Sequence, residues 1–290
     1  MTHDATARRR NDLLPLGPAP RPTTGGDLAE RLRNAMLQSS GGGVQGLDRA
    51  AVAATLDGAD VPSLDVDLTG VVAGPSDERP RVESWRPEVS SREEARVHRL
   101  RVDAHPLVAV DLPVDVTAEL ENLRFAWIEG ADGRAGVELV EPSDGSPLTG
   151  HARVAVDKQG LTGTAHGLLA VTLSGQGVTL TDFDLDVQSQ GPRAASVRVY
   201  AKVRKSFISA PVQALASAEI DDDMVLTLGD IQITSNNPIV GALLGAVRGR
   251  IEAAAHRRID LAAALPPGVK LADVRLDVGQ QIVISARLGG

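Results

Sequence analysis

The sequence predicts an α+β chain that is mostly β: a strongly curved antiparallel sheet wrapped around one long C-terminal helix, with a short N-terminal helix. Three observations predict it. Residues 237–261, NPIVGALLGAVRGRIEAAAHRRIDL, place apolar residues at helical period. Much of the rest alternates apolar and polar in short runs divided by Gly, Pro and Asp. One strand pattern also recurs several times with the same break in its phase.

The helix is argued first. Ile239, Leu243, Val247, Ile251, Ala255 and Ile259 recur every fourth residue, and Val240, Leu244 and Ala254 widen the stripe. Asn237 suits an N-cap and Pro238 the first helical position, where a missing N–H costs nothing. Arg257 and Arg258 suit the negative pole, and Pro266-Pro267 ends the segment. At about 1.5 Å per residue the rod would be about 36 Å long. A long apolar stripe in a strand-rich chain needs a sheet that curls to cover it.

Taken in order, residues 1–26 are rich in Pro, Gly, Thr and Arg and read as a disordered tail. Residues 27–45 read as a short amphipathic helix, with Leu28, Leu32 and Met36 on one side, and a Gly-rich hinge. Residues 46–290 read as a single domain. Its strands begin over 47–74, where Leu64, Val66 and Leu68 alternate. The charged stretch 75–105 reads as a surface excursion settling into a strand near Val97, with capping-box spacing between Ser91 and Glu94. Strands follow over 107–128, 135–141, 149–157, 160–173, 177–189, 195–208, 212–221 and 223–234. After the helix come strands 268–278 and 281–288.

The recurring pattern is AELENLRF at 118–125, VTLTDFDL at 178–185, LTLGDIQI at 226–233 and VKLADVRL at 269–276. A weaker copy, VDLTGVVA at 66–73, has Gly70 in place of the acid or amide. Apolar residues alternate up to Leu180, then skip to Phe183, Leu185 and Val187. A flat strand would turn Phe183 to the wrong face. Either a bulge at the Asp restores the face and bends the strand, or the Asp is a turn that ends it. Both readings make Asp182, Asp230 and Asp273 structural.

Composition excludes several functions. Aromatic residues are 2 % of the chain, too few for bases to stack on, and the net charge of −8 opposes attraction to nucleic acid. The 42 % of hydrophobic residues are therefore an aliphatic interior. There is no cysteine, hence no thiol chemistry. No stretch is long and apolar enough to span a bilayer, and the N-terminus lacks the apolar core of a signal peptide. The expectation is a cytoplasmic protein with no integral membrane segment; export would require a leader outside this sequence.

Candidate chemistry is sparse. If 157–160 is a turn, His151 falls opposite His166, but a third metal ligand is missing. Asp221, Asp222 and Asp223 read as a hairpin turn rather than a cation cradle. No nucleophile elbow, zinc motif or dinucleotide fingerprint occurs, so we expect no catalysis, no metal and no cofactor. Arg198, Lys202, Arg204 and Lys205 form the densest basic group. Arg198, Lys202 and Arg204 share one strand face, either solvated or meeting an anionic headgroup.

A long helix held in a bent sheet with an aliphatic interior resembles the tubular lipid-binding (TULIP) fold. More narrowly, LPPGVKLADVRLDVGQQIVISARLG near the C-terminus is similar to the end of the actinobacterial LmeA-type phospholipid-binding family. Those proteins are exported; this chain shows no leader. The resemblance implies non-catalytic binding of lipid or acyl chains between helix and sheet, in lipid or envelope glycolipid handling. Leu243, Leu244, Val247 and Ile251 of the helix and Val178, Leu180, Phe183 and Leu185 of the sheet would line that groove. The alternative is a structural or assembly module whose core fills itself or takes the helix of a protein partner.

Overall fold

The structure, a computed structural model, describes residues 13–40, 43–74, 85–143, 145–175, 177–205, 208–235, 258–261, 265 and 269–289. The chain divides into two compact units where one domain was expected. The first comprises residues 1–154, 265–272 and 286–290, and the second residues 155–264 and 273–285.

The first unit opens with β1 (Leu14–Pro18), α1 (Gly25–Ser39) and β2 (Val44–Gln45). After a short 3₁₀ turn come β3 (Ala51–Asp57), β4 (Asp60–Asp67) and β5 (Val72–Ala73). The long strands β6 (Val89–Ala109) and β7 (Leu112–Gly130) follow, then β8 (Arg134–Leu139) and β9 (Thr149–Asp157). Strand order runs β9-β7-β6-β4-β3, with β8 also beside β7 and β1 beside β8. β6 and β7 form a long hairpin whose two turn residues, Val110 and Asp111, both take positive φ (50° and 64°), as a tight twist-compatible turn requires.

Helix α1 forms where expected. The Thr24 side chain accepts the Asp27 N–H at 3.2 Å, and Asp27 pairs with Arg31 one turn on at 2.8 Å. The helix buries Leu28, Ala29 and Ala35. Leu28 and Ala35 join Leu16, Val61, Val97, Phe125 and Trp127 in one core. Trp127 is 2 % exposed, meets Phe125 edge-to-face at 5.0 Å between centroids, and donates its indole N–H to the Ala59 carbonyl at 2.8 Å.

The second unit begins with α2 (Lys158–Ser174), followed by β10 (Thr179–Gly191), β11 (Ala194–Lys205), β12 (Ile208–Ile220), β13 (Val225–Ser235) and β14 (Arg258–Asp260). These five strands form an antiparallel meander in that order. The chain ends with β15 (Leu271–Val278) and β16 (Gln281–Leu288), each divided between the two units.

Several expectations need correction. The long C-terminal helix is not the organising element. Arg258–Asp260 is a strand, paired through Thr227, Leu226 and Val225 with β13, and the Leu261 N–H donates to the Met224 carbonyl. Extended backbone there satisfies the β13 edge, and Arg258 gains Asp221 as an ion partner at 3.5 Å. Residues 236–257, and with them Leu243, Leu244, Val247 and Ile251, lie outside the described residues. The described helices are α1 and α2, and α2 occupies 158–174, where a strand was expected. The single curved sheet is two sheets, and it is not purely antiparallel: β6 pairs in parallel with β4 and β5. Residues 14–18, assigned to the tail, form β1, and Leu16 is 2 % exposed. Ser91 and Glu94 lie in β6, not in a helical turn.

Candidate functional site: the apolar face of the second unit

The site is built from cross-strand register. Leu180, Phe183, Leu185 and Val187 of β10 stand opposite Val203, Ala201, Val199 and Val197 of β11. Those four in turn stand opposite Ala210, Val212, Ala214 and Ala216 of β12. Directly paired residues share a face, so three strands present one aliphatic surface. Ile233 and Leu228 of β13 extend it, opposite Ala214 and Ala218.

The phase break in the sequence is what keeps this face continuous. Leu180 pairs with Val203 and Asp182 with Lys202, which leaves Thr181 as an extra residue on β10. Further along, Leu215 pairs with Gln232 and Ser217 with Gly229, so Ala216 alone faces Asp230 and Ile231. Both irregularities fall within one residue of the acid, and each bends its strand. A third copy uses a different device: Asn122 within β7 takes φ 61°, a left-handed conformation its short amide tolerates. Asp273 lies within β15 and pairs with Arg193 and Arg275, each at 3.0 Å. Those two cations hold its carboxyl below the usual aspartate range, the Arg193 hydrogen bond contributing most.

Val178, Leu180, Phe183 and Leu185 are all half-buried, none of them fully enclosed. Phe183 meets the His166 ring of α2 at 5.8 Å between centroids. Helix α2 starts where the Asp157 side chain accepts the Gly160 N–H at 2.7 Å. Its first residue, Lys158, donates to Asp186 at 2.9 Å and to the Val187 carbonyl at 3.2 Å. With Gln188 assisting, that contact lowers the Asp186 carboxyl below its ordinary range. At the other end the Val178 N–H donates to the Leu173 carbonyl. The helix therefore runs antiparallel along β10, its N-terminus at Val187 and its C-terminus at Val178.

The histidine pair does not form across a hairpin, because 158–174 is helical; His166 belongs to α2 and His151 to β9. Asp221, Asp222 and Met224 make the β12–β13 turn, Met224 with φ 59°. Asp221 accepts the Val225 N–H and Asp222 pairs with Arg193 at 3.0 Å, so both carboxylates have partners. Arg198 and Lys202 stand opposite Asp186 and Asp182 on the polar face, whereas Arg204 stands between Thr179 and Ser209. Helix α2 was legible in one respect that sequence reasoning missed: Leu161, Ala165, Leu169 and Leu173 recur every fourth residue behind an Asp N-cap.

Among the described residues no buried side chain is polar or charged, and no three His, Asp or Glu groups are placed to hold a metal ion. The arrangement offers apolar surface. No protein-family model matches the chain, and no curated protein or solved structure does either.

Proposed function

We propose that the protein binds a long apolar ligand, a lipid or acyl chain, on the aliphatic face of β10 to β13 beside α2, without catalysis. The observation that carries this reading is the state of that face: a continuous run of Val, Leu, Ile, Ala and one Phe in which the large side chains, Val187 apart, are half-buried. A self-filled core would enclose them, as the first unit encloses Trp127. Each methylene removed from water contributes about 0.8 kcal/mol, so ten methylenes laid on such a face contribute about 8 kcal/mol before the costs of association. Aliphatic side chains provide this without a polar site. The likeness of the C-terminal stretch to LmeA-type phospholipid-binding proteins points the same way.

The test is organic extraction of purified protein followed by mass spectrometry, together with titration of a fluorescent fatty acid. Stoichiometric lipid in the extract, or saturable fatty-acid binding that Leu185→Asp abolishes, is the expected result. A clean extract with no binding by folded protein would overturn the reading in favour of a structural module.

A further inference from the structure

The outward side of α2 and the strand end next to it point to a second contact that this reading does not require. Residues 159–181 contain no Asp, Glu, Lys or Arg, in a chain that is otherwise 23 % charged. A helix lying on a sheet turns a polar face to water. Helix α2 instead exposes Leu168 (52 %), Leu169 (38 %) and Val171 (74 %), and it buries none of its residues. A methyl placed on Gly163 or Gly167 would meet nothing, so that flank is open as well.

The exposed leucines and valine lie in the C-terminal half of the helix, the half that ends at Val178. Thr179, the next residue, pairs with Arg204. The C-terminal end of α2 thus adjoins the end of β11, where Lys202, Arg204 and Lys205 are all exposed. Their partners on β12 are Pro211, Ser209 and Ile208, none of them acidic, and on β10 only Asp182 opposes them, at Lys202. The local excess is two positive charges, against a net charge of −8 for the whole chain. No described helix is long and apolar enough to cross a membrane.

We propose that this end of the second unit docks on an anionic lipid bilayer, with Leu168 and Val171 entering the headgroup boundary and Lys202, Arg204 and Lys205 meeting lipid phosphates. An apolar helix uncharged beyond its first residue and flanked by cations is the composition that binds such a surface, and charge complementarity favours it over a neutral bilayer.

The experiment is co-sedimentation of the full chain with vesicles of phosphatidylcholine alone or mixed with phosphatidylglycerol. The protein should pellet with the mixed vesicles and remain in the supernatant with phosphatidylcholine, and added salt should release it. Lys202→Ala and Arg204→Ala should each weaken binding about fivefold, and Val171→Asp at least tenfold. Circular dichroism shows whether each variant is folded. Equal binding to both vesicle types, or none to either, overturns the proposal. So does an oligomer, seen without vesicles, that Val171→Asp converts to monomer, because a second copy then covers the helix. Loss of docking with lipid still present in the organic extract separates this result from failure of the ligand reading.

Discussion

The two units handle apolar surface in opposite ways. In the first, a few large residues are enclosed: Trp127, Phe125, Leu16 and Leu28 are each 5 % exposed or less, and α1 contributes Leu28, Ala29 and Ala35 to the interior. In the second, one face of the sheet is aliphatic, its large residues apart from Val187 are half-buried, and α2 buries none of its own residues. The difference teaches which half closes its core and which leaves apolar surface half-buried. Trp127 is fixed by a ring contact and a hydrogen bond at once, so it specifies a shape. A field of Val and Ala specifies none.

The largest expected effect tests the closed half. Trp127→Ala should lower stability by about 3–5 kcal/mol in a denaturant titration, through lost burial and an unfilled cavity; a change near zero would mean that the first core is not closed around the ring. Phe183→Ala removes an aromatic of the other unit that is only half-buried, and its cost should be about 1–2 kcal/mol. If it equalled the Trp127 effect, the contrast between the units would fail, and Phe183 would belong to a core as tight as the first.

Acidification sharpens the comparison along another axis. The Asp186 and Asp273 carboxyls are held below the ordinary range by Lys158 and Arg193 respectively. A lowered folded-state value stabilises the protein above the unfolded aspartate value of about 3.9, and that stabilisation is lost as pH falls through the folded value. Melting temperature should therefore drop below about pH 4, and Asp273→Asn should show a smaller drop than the unmodified chain. An identical acid limb in both would remove Asp273 from the account. The smallest effect is at Asn122: Asn122→Gly should be nearly neutral and Asn122→Val about 1–2 kcal/mol worse, as φ 61° demands of a β-branched residue. Equal melting temperatures for the two would show that the left-handed backbone is not kept in solution.

What could be read from sequence was local. The stripe Leu28, Leu32, Met36 identifies α1, and the strands of the meander follow from alternation and Gly or Asp turns. The skipped phase before Phe183 marks a bulge because period-two patterns leave no other way to keep both halves on one face. Pairing partners were not legible. Nothing in a single strand tells β6 to accept β4 in parallel, nor that the alternating chain divides into two sheets, since those choices depend on contacts distant in sequence. Helix α2 was misread because three Gly and three Thr lower its helix propensity, and propensity is a weak prior beside a cap and a tertiary contact. At the candidate site, Leu180, Phe183 and Leu185 share β10, whereas Val178 precedes it. The acids opposite Arg198 and Lys202 required the register itself.

Strand β10 ends its sheet, and that position has a consequence for the protein at high concentration. A long terminal strand with a regular apolar face is a template on which another copy can add its own edge, the first step toward fibrils. Three features oppose that step here. Thr181 interrupts the regular spacing of the hydrogen-bonding groups, Asp182, Asp184 and Asp186 put like charges on any strand added in register, and α2 lies along the same strand. The aspartates of β10 are thus gatekeepers against stacking, and they let an aliphatic sheet remain open without becoming a seed.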